Sequence, residues 1–286
     1  MALLASGAAR LMPANHWDWT IPTPFSQGWK AGNFVFVGGQ VPVGLDHTVI
    51  GPGDIATQTR VVFDNIEKVL AEAGASMSDV VKLNTYYRFS GTGPEETEFW
   101  KAMTDVRLEY LADPGPAATA VRVVGFARQD TLIEVEAIAA VPDEEGRSLE
   151  RVRIMPEGHW DWVMPTPFSQ GWKVGNLVFV GGQISARGKG EVIGVDDIEV
   201  QTRNTFENIR AVLRDAGAEL SDIVKLNTYY KFEGTGPEEN EFWKRMTRVR
   251  LEYLGDPGPA ATAVRVVGFA FEHILIEIEA IAVVPE

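Results

Sequence analysis

The sequence predicts an α+β protein of two tandem domains, each a mixed β-sheet with two helices on one face. Two observations predict it. The chain repeats itself in a fixed register: His16-Trp17-Asp18-Trp19 returns as His159-Trp160-Asp161-Trp162, 143 positions on (159 − 16). Thr23 to Lys30, Leu83 to Tyr87 and Ala120 to Phe126 return at the same spacing. A constant long period marks the duplication of a whole domain rather than a short-period solenoid. Within each copy, the hydrophobic period alternates between that of strands and that of helices, in the order β-β-α-β-α-β-β.

In the first copy, residues 25–30 open the sheet, and Asn33 to Val37 form a strand bounded by Gly32 and Gly38-Gly39. Asp54 caps a helix that runs through Ala73 and stops at Gly74, with Val62, Ile66, Val69 and Leu70 on one face. Val80 to Phe89, rich in β-branched and aromatic residues, is a strand. Pro94 starts a second helix through Leu111, with Phe99, Met103, Val106 and Tyr110 on one stripe, and Asp113-Pro114-Gly115-Pro116 ends it. Thr119 to Phe126 and Leu132 to Val141 complete the sheet. The repeats are expected at 13–142 and 156–285, and the charged stretch 143–155, without aromatic residues, is expected as a linker.

Bulk chemistry excludes several function classes. The 286 residues, 45% of them hydrophobic, suffice for a core in each half. A net charge of −14 argues against nucleic acid, which needs clustered Lys and Arg. Zero cysteines exclude disulfides, thiolate metal sites and a Cys nucleophile. No membrane span is expected, and Met1 to Gly7 lacks the basic front of a signal peptide, so a cytoplasmic location is expected.

Side chains of a strand alternate between faces. Lys82, Asn84 and Tyr86 therefore share a face, as do Glu134 and Glu136, and Arg122 opposes Val121 and Val123. Lys225, Asn227, Arg265, Glu277 and Glu279 repeat the pattern. Each sheet is expected to have an apolar face for its helices and a polar one. That polar face is either a solvated or intersubunit ion-pair layer, or a pocket.

Several motifs in order resemble one family. Phe25-Ser26-Gln27 precedes Val35 to Gln40, and Ala73-Gly74-Ala75 precedes Asp79 to Lys82; the proline turn before Ala117-Ala118-Thr119 is followed by Glu134 to Ala139. Together they are similar to the Rid family, also called YjgF, whose best-known members hydrolyse reactive enamines and imines to ketones and ammonia. The resemblance covers nearly all of both halves. It implies a chorismate-mutase-like fold, domains grouped in threes, ligand clefts between neighbouring domains and a small-molecule substrate; a homo-oligomer, with a trimer of chains favoured, is expected. The family's pocket glutamate is matched by Glu134 and Glu277. The arginine that holds the substrate carboxylate in deaminating members is Ala118 and Ala261 here, and the tyrosine before Ser-Gln is Phe25 and Phe168. Losing a bidentate guanidinium removes the natural anchor for an amino-acid-derived carboxylate.

The expected site follows. Glu134 and Glu277 would handle a water or a proton if burial raises their pKa; exposed strand glutamates would not. Arg122 and Arg265 would supply positive charge, or instead pair with Glu136 and Glu279. Backbone amides near Gly39 and Gly182 would position an oxygen, and Phe25, Phe168, Trp29, Trp172, Asn84 and Asn227 would contact substrate. His16 and His159 are second-choice bases, supported by Asp18 and Asp161; alternatively the tryptophans beside them only pin the segment. No HxxxH or HExxH spacing supports a metal held by His16, Asp18 and Glu134, and no cofactor is expected. The leading expectation is a Rid-type hydrolase of altered specificity acting at an imine, enamine or carbonyl carbon. The alternative is a non-catalytic ligand-binding or chaperone-like module. A ribonuclease role, also attached to the family, fits the acidic charge poorly.

Overall fold

The computed structural model describes residues 2–3 and 7–285; the rest of the apolar opening, Met1 and 4–6, lies outside the described residues. Two compact units emerge. One comprises Met1–Pro116 and Val124–Glu150, the other Ala117–Val123 and Arg151–Glu286.

The elements up to residue 140 are β1 (Ala2–Leu3), β2 (Ala9–Leu11), β3 (Gly28–Ala31), β4 (Phe34–Gln40), α1 (Ile55–Glu72), β5 (Val80–Tyr87), α2 (Pro94–Tyr110), β6 (Ala117–Arg122) and β7 (Ile133–Ala140). The first unit's sheet runs β1-β2-β3-β4-β7-β5. The Asp54 carboxylate caps α1, accepting from the Thr57 N–H at 3.1 Å, a contact whose loss typically costs ~1 kcal/mol. The expected α1 face, Val62, Ile66, Val69 and Leu70, is fully buried. Pro94 opens α2, Glu95 and Glu96 complement its N-terminal dipole, and Met103 and Val106 are buried.

The second unit adds β8 (Arg151–Ile154), β9 (Gly171–Val174), β10 (Leu177–Ile184), β11 (Ala186–Arg187), β12 (Glu191–Val192), α3 (Ile198–Asp215), β13 (Ile223–Lys231), α4 (Pro237–Tyr253), β14 (Ala260–Val266), β15 (Gly268–Phe269) and β16 (Ile276–Val283). Its sheet order is β14-β13-β16-β10-β9-β8, with β13 and β14 parallel. Val178, Val180, Ile276 and Ile278 bury against Phe206, Ile209 and Leu213 of α3 and Met246 of α4. The helices thus cover one face, and Glu277 and Glu279, alternating with those isoleucines, project from the other.

Besides the two-residue strands β1, β11 and β12, two strands that were not expected extend the repeats. β2 precedes Pro13, and β8 lies inside the expected linker 143–155. The repeat therefore starts earlier than its proline marks: Arg10 and Arg153 share the register of 143. Each arginine ties its strand to the following segment, Arg10 donating to Ser26 Oγ and the Phe25 carbonyl, Arg153 to Ser169 Oγ and the Phe168 carbonyl. The alternation of Arg151 and Arg153 with Val152 and Ile154 is a strand pattern that the charged surroundings masked. Residues 25–27 are not strand: the Phe25 carbonyl accepts from Arg10, the Gln27 N–H donates to Met12 Sδ, and the Gln27 carbonyl accepts from the Gly38 N–H.

Candidate functional site

The polar face is built as the alternation implies. Asn84 opposes Glu136 and Tyr86 opposes Glu134 across β5 and β7. Lys82 Nζ donates to Asn84 Oδ1 at 2.5 Å, and Asn84 Nδ2 passes the contact to Glu136 Oε1 at 3.0 Å. Tyr86 donates to the same oxygen at 3.4 Å. The second repeat keeps the inner part: Asn227 and Tyr229 donate to Glu279 Oε1 at 2.8 and 3.3 Å. Lys225 instead donates to Thr262 Oγ1 at 3.0 Å. Asn84 and Asn227 thus orient a carboxylate.

A bulge places the other glutamate. Register along β4 and β7 moves from Val37 opposite Ala137 to Gln40 opposite Val135, so three residues on one strand meet two on the other. The same slip occurs between Val180 and Gln183. The extra residue falls at Gly38-Gly39 and Gly181-Gly182, a device that redirects a strand locally and recurs beside active sites. A Cβ on Gly39 would run into the Glu134 carboxylate, and one on Gly182 into that of Glu277. These glycines make the cradles in which the glutamates lie.

What surrounds the carboxylates differs. Glu134 is half-buried, and burial first, then the negative charge of Glu136, pushes its pKa up. Glu277 and Glu279 are buried. β6, part of the second unit, lies against them: Thr119 donates to Glu279 Oε2 at 2.5 Å and the Ala120 N–H to Glu277 Oε1 at 3.3 Å. A Cβ on Gly181 would meet the Ala118 backbone at 3.0 Å, so glycine there allows the approach of β6. Ala118 itself is buried.

The other expected site residues separate into different places. Arg122 lies on Gly268, and its Nη2 donates to the Val267 carbonyl at 3.2 Å. Arg265 pairs with Glu239 at 3.3 Å and sits 5.7 Å over the Phe232 ring, so Glu239 on α4 replaces the expected Glu279. Phe25 lies beside the bulge, 3.7 Å from the Cβ that Gly38 lacks, and packs on Trp17 at 5.4 Å. With Trp29 and Arg10 it lines an open depression of about 450 Å³. Phe168 is buried against Trp160 and Trp162, which turns its ring from the expected substrate contact into core. Trp172 is a half-buried residue of β9.

The histidines are not supported by the aspartates. Asp18 accepts from the Trp19 N–H, and Asp161 from the Trp162 N–H and from Lys189, 28 positions on, and neither carboxylate is hydrogen-bonded to its histidine. His16 Nε2 lies 3.3 Å from the Asn65 carbonyl of α1, and His159 Nε2 is 2.8 Å from Gln183 Oε1. Burial pushes both imidazole pKa values down. His159 also lines a cavity against α3, on the sheet's helix side, away from Glu277. The tryptophans do pin the segment. Trp17 Nε1 donates to Gln40 Oε1, Gln40 to Gln27 Oε1, and Gln27 to the Trp17 carbonyl, a closed ring repeated by Trp160, Gln183 and Gln170. All four glutamines are fully buried. Both copies keep them at the 143 spacing, a signal sufficient to find them.

A family model described as Endoribonuclease L-PSP matches residues 20–141 and again 163–284. A RutC family protein of Pyrococcus abyssi is 44% identical over 116 residues, 41% of this chain and 85% of that one. The 3-aminoacrylate deaminase RutC of Acinetobacter baylyi is 34% identical over 118 residues, 41% of this chain and 87% of that one. A 2-iminobutanoate/2-iminopropanoate deaminase of Dermatophagoides farinae is 30% identical, over 41% of this chain and 86% of that one. Among solved structures, a chorismatase at 17% identity shares the fold with a TM-score of 0.65, covering 89% of this chain and 76% of that one.

Proposed function

Because the chain belongs, through both halves, to the family of the Endoribonuclease L-PSP model, the Rid/YjgF family, we propose that it hydrolyses a small imine or enamine with altered specificity. The observation that carries the reading is the Glu134 carboxylate: cradled at the Gly39 bulge, half-buried, its pKa raised. A carboxylate moved toward neutrality can both take and return a proton. Glu134 accepts a proton from water as the water oxygen bonds to the C=N carbon and the π pair moves to nitrogen, to which Glu134 then delivers that proton. The carbinolamine then collapses: Glu134 takes the hydroxyl proton as C=O forms and returns it to nitrogen as the C–N bond breaks. Imine and water become ketone and amine, which is free ammonia from an open-chain N–H imine and a tethered amine from a cyclic one. Relatives named as deaminases support this class of reaction.

Specificity departs from amino-acid-derived imines. Ala118 and Ala261 offer no guanidinium, and Arg265 is engaged by Glu239. Neutral cyclic imines should therefore be turned over at least ~10-fold faster than 2-aminoacrylate, since a charged hydrogen bond is worth roughly 1.5–3 kcal/mol. Steady-state assays on 2-iminobutyrate, 2-aminoacrylate and a series of cyclic imines test this. Faster turnover of 2-aminoacrylate would reverse the specificity reading, and no turnover of any of them favours a ligand-binding module.

The active form is a homo-oligomer. Residues 116–126 and 259–269 are identical in sequence, yet β6 is largely buried while Ala260 to Arg265 of β14 are exposed. The Gly38-Gly39 and Glu134 surface matches the one that β6 covers in the second unit. β14 of one copy lying on that surface of another would supply the Thr262 hydroxyl and Ala263 N–H to Glu136 and Glu134. Light scattering should show an assembly larger than one chain that Ala261→Glu reduces; a monomeric wild type contradicts it.

A further inference from the structure

The two repeats diverge most informatively on the helix side of the second sheet, away from the glutamates. There a cavity of about 390 Å³ opens in the second unit, within the range of small-ligand sites. His159, Asn204, Asn208, Ala211, Arg214 and Asp215 are among its walls. In the first repeat the corresponding positions hold His16, Val61, Asn65, Lys68, Ala71 and Glu72. Lys68 extends its ammonium to Asn65 Oδ1 at 3.3 Å, across the space that Ala211 leaves free. Of these six, only the histidine and one asparagine are kept in identity; Pro156 and Trp160, also walls, match Pro13 and Trp17. The divergence therefore gathers on the walls of one cavity, while the buried Trp-Gln-Gln ring beside it is unchanged.

The cavity's polar groups can be assigned as donors and acceptors. An indole N–H only donates, so the Gln183 atom facing Trp160 Nε1 is its carbonyl oxygen. His159 Nε2, 2.8 Å from that oxygen, must then carry the hydrogen. In the neutral imidazole this leaves Nδ1 as a lone-pair acceptor, and it has no hydrogen-bond partner among the described residues. Asn204 Nδ2 is the opposite case: a buried donor without a partner. Asn208 Nδ2 is already used, by the Ile184 and Ala186 carbonyls. At the rim, adjacent Arg214 and Asp215 offer one charge of each sign, both exposed.

A simple anion would satisfy Arg214 and Asn204 but face Asp215 and leave the imidazole acceptor empty. A simple cation would fail in the reverse way, and an apolar ligand would leave the buried Asn204 donor and the imidazole acceptor unpaired. We propose that the second repeat alone carries an additional binding site for a small zwitterion, a molecule of amino-acid type bearing a carboxylate and a primary ammonium. Its carboxylate takes the Asn204 amide and Arg214, and its ammonium takes His159 Nδ1 and Asp215. The site stands apart from Glu277, which is not among the cavity's walls, and does not depend on the hydrolase reading.

Titration calorimetry on the full chain tests it, with glycine, L-serine, L-leucine and L-glutamine as probes and ethanolamine and propionate as half-ligands. At least one amino acid should bind, at one site per chain, at least 10-fold tighter than either half-ligand. Ala211→Lys and Asn204→Val, which install the residues of the first repeat, should each weaken it at least 10-fold while thermal unfolding stays unchanged. Unaltered affinity in a folded Ala211→Lys protein, two equal sites per chain, or no binding by any of the four amino acids overturns the proposal.

Discussion

Glu134 and Glu277 hold equivalent positions on equivalent bulges, yet one is half-buried with a raised pKa and the other is buried and holds the Ala120 N–H. Sequence around the two is nearly the same, so composition does not create the difference. The covering strand does. Identical residues become a tightly held carboxylate where β6 lies over them and a more open one where nothing in the same unit does. A duplicated domain can in this way run two versions of one site without changing its central residues.

The largest effect should come from the chemistry of the more open carboxylate. In the proposed mechanism Glu134→Gln removes the group that accepts and returns the proton, and a loss of about 10²–10⁴-fold in kcat is expected. Glu277→Gln alone should cost less if the two sites work independently; equal losses would show that they act as one.

Packing separates the copies next. Gly182→Ala drives a methyl into a carboxylate held by its hydrogen bond, whereas the Glu134 carboxylate can swing toward solvent when Gly39→Ala crowds it. Thermal or denaturant unfolding should show Gly182→Ala destabilising by roughly 1–3 kcal/mol and Gly39→Ala by less. The reverse order would mean that Glu134 is the more rigid of the two.

The pH dependences run in opposite directions. Raised in the folded state, the Glu134 pKa makes the folded protein bind more protons than the unfolded chain. Its contribution is present below the unfolded pKa and lost as pH rises through the folded one, so Glu134→Gln should be more stable than wild type at pH 7 and no more stable in acid. The depressed His16 and His159 values act the other way: stability present above 6.5 is lost as pH falls through the folded pKa values. His16→Gln/His159→Gln protein should show a flatter loss of stability below that point, read from unfolding midpoints at several pH values. A smaller effect is expected at the aromatic anchors: Trp160→Phe removes the bond to Gln183 and should cost about 1 kcal/mol in the same measurement.

Much of this was legible in the sequence. Helix limits followed from Asp54, Gly74 and Pro94, and the polar face from strand parity at Lys82, Asn84, Glu134 and Glu136. Legibility ended where distant segments meet. Nothing in the identical 116–126 and 259–269 stretches tells that one is covered and the other exposed. Arg265 has a partner from α4, which strand alternation cannot reveal. The Asp18 and Asp161 side chains turn back to their own backbone, a local competition that proximity to histidine did not suggest. Arg10, Gln27 and Gln40 were visible through their copies at Arg153, Gln170 and Gln183. They were overshadowed by the aromatic motifs because hydrogen-bond partners leave no periodicity.

The most direct test of the central claim is the hydrolysis rate of the Glu134→Gln/Glu277→Gln protein on the best cyclic imine, measured beside its affinity for that imine. A loss of at least about 10²-fold in kcat with affinity and unfolding midpoint retained is the expected result. Undiminished hydrolysis in that folded double variant would contradict a role for these carboxylates in moving the proton.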